Sequence, residues 1–214
     1  ILSIIKNSNY GFFEPHELNK DTITYNNIGG AQWTGASVDP YKNVMYVTAS
    51  NIPWKVGVRL LNKKAKFKYI GKIEEPLRDL EGYPGVKPPW GTLTAINLNT
   101  GRIIWQVPLG HYESIKSKGI NTGTENFGGA TATAGGLVFA AGTLDRLIRA
   151  FDSETGAELW SYKLPYIGSA PPTSYKIDGE QYIVIPATGG IILKKNYGDL
   201  IELGDAVVAF KLQD

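Results

Sequence analysis

Three short loops of this sequence combine a pair of glycines with polar or aromatic neighbours. The pairs are Gly29-Gly30, Gly128-Gly129 and Gly189-Gly190, and each lies close to a strand-like run. Paired glycines allow backbone amides to approach a ligand closely, because neither residue carries a side chain. A glycine pair before a strand is also typical of an ordinary turn. The pattern by itself therefore leaves a ligand site and a turn as alternatives.

The other reactive side chains do not form a recognisable catalytic pattern. His16 and His111 are the only histidines, and neither has a carboxylate at metal-ligand spacing. Glu17 and the pair Glu74-Glu75 lack the arrangement of paired catalytic acids. The absence of cysteine excludes zinc-thiolate sites and thiol nucleophiles. A net charge of +2 is too small to indicate a nucleic-acid partner.

A repeated segment gives the main indication of the fold. Residues 95–105 and 150–160 both begin with alanine, contain a central Thr-Gly pair and end with tryptophan, and a third copy starts at Ala209. A strand-rich period of about 55–60 residues is typical of a β-propeller, which needs roughly 4–8 blades to close. In each copy we expect the small alanine to let a large ring from a neighbouring strand or blade pack over it, and the glycine to occupy a turn. Both tryptophans are therefore predicted to be structural.

Short β-branched and aromatic runs predict the strands, and no long amphipathic helix is indicated. The predicted strands are 44–48, 93–97, 137–141, 147–151, 182–186 and 206–210, with outer strands that carry the two repeat tryptophans. We predict an all-β fold of β-propeller blades, with about three four-stranded antiparallel meanders. This chain is treated as one partial propeller domain, 1–214, with approximate blades 1–110, 111–165 and 166–214.

Residues 51–92 are predicted to be an insertion in the first blade that projects from one face of its sheet. The lysines of 63–68 suit either a solvated face or a docking patch, and the proline-rich stretch 82–91 predicts an extended segment. Three blades would leave apolar sheet faces uncovered. We therefore expect association with missing blades or with further copies of the chain.

Longer stretches of the sequence resemble the quinoprotein dehydrogenases of the glucose/quinate type. The matching stretches are 28–35, 82–96, 105–110, 121–129 and 135–139. The resemblance implies an eight-bladed propeller that binds pyrroloquinoline quinone (PQQ) on its axis beside a calcium or magnesium ion. It also implies periplasmic oxidation of a sugar or alcohol, with electron transfer to ubiquinone or cytochrome c. Only the last third of such an enzyme is represented, so the resemblance places the catalytic base and the metal ligands upstream of Ile1.

The resemblance also indicates which residues would form the rim of the cofactor pocket. Asn27 matches an asparagine near the quinone, and Trp33 falls at an aromatic position of the same loop. Asn126 and Phe127 begin the corresponding loop of the next blade. Because equivalent loops of a propeller meet around one axis, these side chains are expected to lie close together.

A third loop and one acidic residue complete the expected rim. Thr188, Gly189 and Gly190 fall where relatives present a glycine-rich turn to the cofactor. Gly190 occupies the position of a histidine in the membrane glucose enzymes, so their substrate preference does not transfer. Asp145 matches an acidic position near the propeller centre, with a turn or salt-bridge role as the alternative, and a core position is the alternative for Trp33.

Two functions remain open from the sequence. The first is the C-terminal part of a PQQ-dependent dehydrogenase, which would be inactive as an isolated segment. The second is a non-catalytic propeller used for binding or scaffolding. Stretches 82–91 and 121–129 favour the enzyme, because a scaffold does not need them.

Overall fold

The computed structural model describes residues 1–11, 13–25, 30–62, 64 and 66–212. In this part of the chain the helices are short and strands dominate. The strands are β1 (Asn9–Tyr10), β2 (Asp21–Thr24), β3 (Gly30–Ala31), β4 (Ser37–Asp39), β5 (Val44–Ser50), β6 (Trp54–Leu60), β7 (Tyr69–Pro76), β8 (Gly91–Asn97), β9 (Arg102–Pro108), β10 (Ala130–Ala132), β11 (Leu137–Ala140), β12 (Leu147–Asp152), β13 (Glu158–Lys163), β14 (Thr173–Ile177), β15 (Glu180–Ala187) and β16 (Ala206–Lys211). The helices are α1 (Leu2–Lys6), α2 (Glu113–Lys116) and α3 (Ile191–Tyr197), and a 3₁₀ turn follows at Gly198–Leu200.

The chain divides into two compact units, of which the first comprises residues 1–30 and 51–87. Its sheet has the strand order β1-β2-β6-β7, with β1 and β2 parallel and the other pairs antiparallel. The β6–β7 hairpin lies within the predicted insertion and pairs with β2. The insertion is therefore a strand-forming segment. The predicted blade boundaries stay a prediction.

The second unit, residues 31–50 and 88–214, contains the repeated sheets. Strands β10-β11-β12-β13 form a four-stranded antiparallel meander, and β14-β15-β16 form a three-stranded one. Strands β5-β8-β9 form a further meander, and β4 also pairs with β5. Each predicted inner strand is present, and the all-β prediction with propeller blades is confirmed.

Two hydrophobic clusters fill the spaces between successive sheets of the second unit. In the first, Tyr46 and Leu93 of one sheet pack with Val138 and Phe151 of the next. In the second cluster, Ile148 packs among side chains of β11, β12 and β15. Alternation explains the arrangement, because along β5 every second residue is buried.

The repeated tryptophan joins two successive sheets. Trp105 lies directly opposite Ala95 in the β8–β9 ladder, and its indole Nε1 donates to the carbonyl of Ser153, 3.1 Å away. The Tyr46 hydroxyl donates to the same carbonyl at 3.2 Å. A Cβ at Gly156, where φ is +74°, would lie 2.7 Å from Trp105 Cε3. The ring therefore needs both the small alanine on its own sheet and the bare glycine in the next turn.

The second copy of the repeat has the same strand geometry. Trp160 lies opposite Ala150, and a register shift follows the alanine here as it does after Ala95. Trp160 packs edge-on against Phe210 of the third sheet, with ring centroids 5.2 Å apart. The structural role that the sequence predicts for both tryptophans is therefore present in the structure.

Candidate functional site

A cavity of about 340 Å³ opens in the second unit, at the ends of several strands. Its lining includes four residues that the sequence analysis assigned to the cofactor rim, and five that it did not. The four are Trp33, Phe127, Thr188 and Gly190, and the five are Thr34, Ser169, Ile191, Ile192 and Leu193. The volume lies at the lower end of the range typical of small-molecule pockets, about 300–1,000 Å³.

The two aromatic side chains of the cavity differ in how far they are exposed. Trp33 is 78% exposed, so it is a surface residue and the alternative core position is not where the structure places it. Phe127 is 6% exposed, and its backbone N–H donates to the carbonyl of Gly142 at 3.0 Å. Phe127 is thus fixed by the sheet, whereas the indole of Trp33 is open to a ligand.

Three hydroxyl groups supply the polar side of the cavity. The hydroxyls of Ser169 and Thr188 lie 3.5 Å apart. The Oγ1 atom of Thr34 is buried and has no hydrogen-bond partner among the described residues. A buried hydroxyl without a partner is costly, by about 1–3 kcal/mol. The cavity can therefore satisfy a ligand that brings hydrogen-bonding oxygens.

The glycine pair beside Thr188 has two different roles. Gly189 donates its N–H to the carbonyl of Ile167 at 2.9 Å, and a Cβ there would lie 2.0 Å from the carbonyl oxygen of Glu202. Its amide is therefore committed to the protein. Gly190 lines the cavity and begins α3 with a φ of +83°. Of the two, Gly190 is the one placed to meet a ligand.

The asparagines of the predicted rim differ from the cavity residues. Asn126 is completely buried, and its Nδ2 donates to the carbonyl of Ala49 at 3.0 Å. Its backbone N–H donates to Ser50 Oγ at 3.2 Å, and it is not among the described lining residues. The side-chain amide and the backbone N–H of Asn126 therefore bind to β5. Asn27 lies outside the described residues.

Asp145 lies at the centre of a buried network and is not among the described lining residues of the cavity. Its side chain is 1% exposed and pairs with the guanidinium of Arg149. It also accepts hydrogen bonds from the Thr143 hydroxyl at 2.6 Å and from the backbone N–H of His111 at 3.0 Å. Burial alone would raise the pKa of Asp145. Hydrogen bonds from His111 and Arg149, together with the arginine charge, outweigh it and hold the pKa well below its usual value.

His111 is the second titratable group of this network. Its Nδ1 lies 3.0 Å from Asp145 Oδ2, and its Nε2 lies 3.0 Å from Glu113 Oε1. The hydrogen bond to Asp145 raises the pKa of His111, although burial opposes this, and the bond to Glu113 adds to the rise. Arg149 Nη2, 3.2 Å from Nδ1, can only donate, so the protonated ring is held by the two carboxylates and not by the arginine. The network therefore connects the loop that follows β9 with strand β12.

The residues that sequence reasoning missed come mainly from α3. Ile191, Ile192 and Leu193 follow the third glycine pair directly, and Leu193 is completely buried. Seven residues give too short a run for a helical period to be recognised. The apolar Ile-Ile-Leu sequence after Gly190 is the signal that could have identified this wall.

Comparison with known proteins agrees with the fold. Residues 3–183 match the PQQ family described as glucose/ethanol/alcohol dehydrogenase, beta-propeller domain. A probable quinate dehydrogenase (quinone) of Xanthomonas campestris pv. juglandis is 34% identical over 87% of this chain and 26% of its own length. The glycerol dehydrogenase large subunit of Gluconobacter oxydans is 31% identical over 98% of this chain and 32% of its own. The chain thus spans about a third or less of these relatives.

Solved structures show the same fold. A europium-containing methanol dehydrogenase superposes with a TM-score of 0.69 at 21% identity, covering 92% of this chain and 36% of the other. The quinohemoprotein alcohol dehydrogenase of Comamonas testosteroni gives a TM-score of 0.64 at 21% identity, covering 90% and 28%. With the family match over most of its length, this chain belongs to the PQQ-dependent quinoprotein dehydrogenases, in their β-propeller domain.

Proposed function

We propose that this chain forms part of a PQQ-dependent dehydrogenase that oxidises the CH–OH group of a sugar or another alcohol, and that it supplies one wall of the PQQ pocket. One observation carries the proposal. Four residues that the resemblance assigned to the cofactor rim come from three loops far apart in the sequence, and they line a single cavity: Trp33, Phe127, Thr188 and Gly190.

The side chains of the cavity suit PQQ, which is a flat aromatic quinone with carboxylate groups. Trp33 and Phe127 offer ring surfaces to a flat molecule. Thr34, Ser169 and Thr188 offer hydroxyls that can donate to carboxylate or carbonyl oxygens. When bound, PQQ supplies the carbonyl that accepts hydride from the substrate carbon. The protein groups that line the cavity bind PQQ and orient it.

The other catalytic groups lie outside this cavity in the proposal. We place the general base and the ligands of the calcium or magnesium ion in the portion of the relatives that this chain does not match. The described cavity residues carry no carboxylate or imidazole, so they do not move the substrate proton. Ile192 and Leu193 instead exclude water from the pocket wall. Asn126 and Asp145 stay predicted rim residues, although neither is among the described lining residues of this cavity.

The substrate class and electron acceptor follow from the relatives. These relatives include quinate, glucose and glycerol dehydrogenases. We propose a polyhydroxylated substrate, ubiquinone or cytochrome c as the acceptor, and a periplasmic location. Among the described residues, no helix is long and apolar enough to cross a membrane. The scaffold alternative rests on no specific observation of this structure.

Titration of PQQ into the 214-residue chain, with calcium present, tests the assignment. Light scattering gives the mass of the particle, and tryptophan quenching with quinone absorbance gives the affinity. We expect self-association, bound PQQ and no substrate oxidation. Trp33→Ala should weaken binding about 3- to 10-fold, the value of one aromatic contact. The matched control is Tyr41→Ala, which removes a 92% exposed ring outside the cavity.

The outcomes separate the two functions. Retained PQQ that Trp33→Ala releases and Tyr41→Ala does not would support a cofactor wall. A chain that retains no quinone at saturating PQQ and calcium, or a Trp33→Ala variant with unchanged affinity, would contradict it. The scaffold function predicts the first of these negative results.

A further inference from the structure

Helix α3 is attached to the rest of the second unit through glycines at both ends. Gly189 and Gly190 precede it with φ angles of +85° and +83°, and Gly198 follows it with a φ of +59°. A Cβ at Gly198 would meet no atom within 4 Å. Glycines in the left-handed region let a segment change direction at little cost. The seven residues between them can therefore move as one body.

The N-terminal half of α3 forms a wall of the cavity. Ile191, Ile192 and Leu193 line it, with Leu193 fully buried and Ile191 70% exposed. One side-chain link of the helix, Lys194 Nζ to Asp199 Oδ1 at 3.0 Å, is exposed. Exposed pairs contribute little to stability, roughly 0–1 kcal/mol. A buried attachment of the C-terminal half of the helix would contribute more.

The last residue of α3 supplies that attachment. The phenol of Tyr197 donates a hydrogen bond to Glu125 Oε2. Glu125 is 2% exposed and lies two residues before Phe127, which forms another wall of the cavity. A hydroxyl bound to a carboxylate in a buried place is among the stronger hydrogen bonds of a protein. One bond thus ties together two walls of the same pocket.

We propose that Glu125 and Tyr197 form a latch that holds α3 closed over the cavity, and that Glu125 is a positioning residue that slows release of the bound cofactor. The latch itself is a property of the ligand-free chain. Its effect on release rests on the proposed function, because it takes PQQ as the molecule in the cavity.

The first experiment measures hydrogen–deuterium exchange of the full chain without ligand. Tyr197→Phe removes the donor and keeps the ring, and exchange of the amides of 191–197 should rise about 10- to 100-fold. Glu125→Gln keeps an acceptor oxygen but removes the charge that strengthens the bond, so we expect an intermediate rise of about 3- to 10-fold. The control is Tyr182→Phe, since the Tyr182 phenol also donates to a carboxylate, Glu180 at 2.9 Å, but in an exposed place. Unchanged exchange in α3, or an equal rise throughout the second unit, would overturn the latch.

The second experiment measures PQQ dissociation by chase with a competing quinone. Tyr197→Phe should release PQQ about 10- to 100-fold faster and Glu125→Gln about 3- to 10-fold faster, with Tyr182→Phe close to the unsubstituted chain. Equal release rates would overturn the role in retention. If the unsubstituted chain binds no PQQ, the proposed function fails, and exchange in α3 still decides whether the latch exists.

Discussion

Gly156→Ala tests whether the repeated tryptophan holds successive sheets together. The new Cβ would lie 2.7 Å from Trp105 Cε3, 2.8 Å from Trp105 Cδ2 and 3.2 Å from Val107 Cγ1. The ring cannot retreat without weakening its hydrogen bond to the Ser153 carbonyl. Alanine must also adopt the left-handed backbone of Gly156, where φ is +74°. The substitution therefore combines a backbone cost with a packing cost.

The equivalent glycine of the preceding repeat separates these two costs. Gly101 has a φ of +69°, and a Cβ there would meet no atom within 4 Å. Gly101→Ala should lower the free energy of unfolding by the backbone cost alone, about 1–2 kcal/mol. Gly156→Ala adds overpacking of about 1–3 kcal/mol, which gives a total loss of about 2–5 kcal/mol.

Urea unfolding followed by circular dichroism measures both losses. A further variant sharpens the comparison: in a Trp105→Ala background the extra loss at Gly156 should disappear, because the ring that it would strike is absent. Equal losses for Gly101→Ala and Gly156→Ala would refute the argument. An extra loss that persists without Trp105 would assign it to another contact.

The buried network around Asp145 gives two more predictions. Asp145→Asn should lower the free energy of unfolding by about 1.5–3 kcal/mol, because buried Arg149 loses one of its two carboxylate partners and keeps only Glu158, 3.1 Å from its Nε; a loss below about 1 kcal/mol in urea unfolding would contradict this. Since the pKa of His111 is raised in the fold, its contribution is complete below about pH 6.5 and is lost as the pH rises through the folded-state pKa. His111→Gln should flatten this fall in stability, measured as urea midpoints against pH, whereas the exposed-residue control His16→Gln should not.

The parts of the fold that could be predicted are those that depend on neighbouring residues. Short β-branched and aromatic runs predicted β5, β8, β12 and β15, because strand propensity is a local property. The repeat also predicted a large ring over the alanine, from a neighbouring strand or blade, and the structure shows that Trp105 of the neighbouring strand lies opposite Ala95. The spacing does not predict which residue of the next sheet forms a hydrogen bond with the tryptophan. The hydrogen bond to Ser153 joins residues 48 positions apart and depends on how two sheets pack.

Prediction of the candidate site from the sequence is limited in the same way, and more strongly. A glycine pair has the same residue types whether it faces a ligand or another segment of the chain. The structure uses the bare Cα of Gly189 to let the carbonyl of Glu202 approach, and commits its amide to Ile167, while Gly190 alone of this pair lines the cavity. The different roles of Gly189 and Gly190 thus depend on Glu202, which lies 13 residues after Gly189. In this fold a glycine pair therefore indicates only that two backbone segments approach each other closely. Whether a ligand binds beside it must be predicted from the neighbouring side chains, such as Trp33 and Thr34.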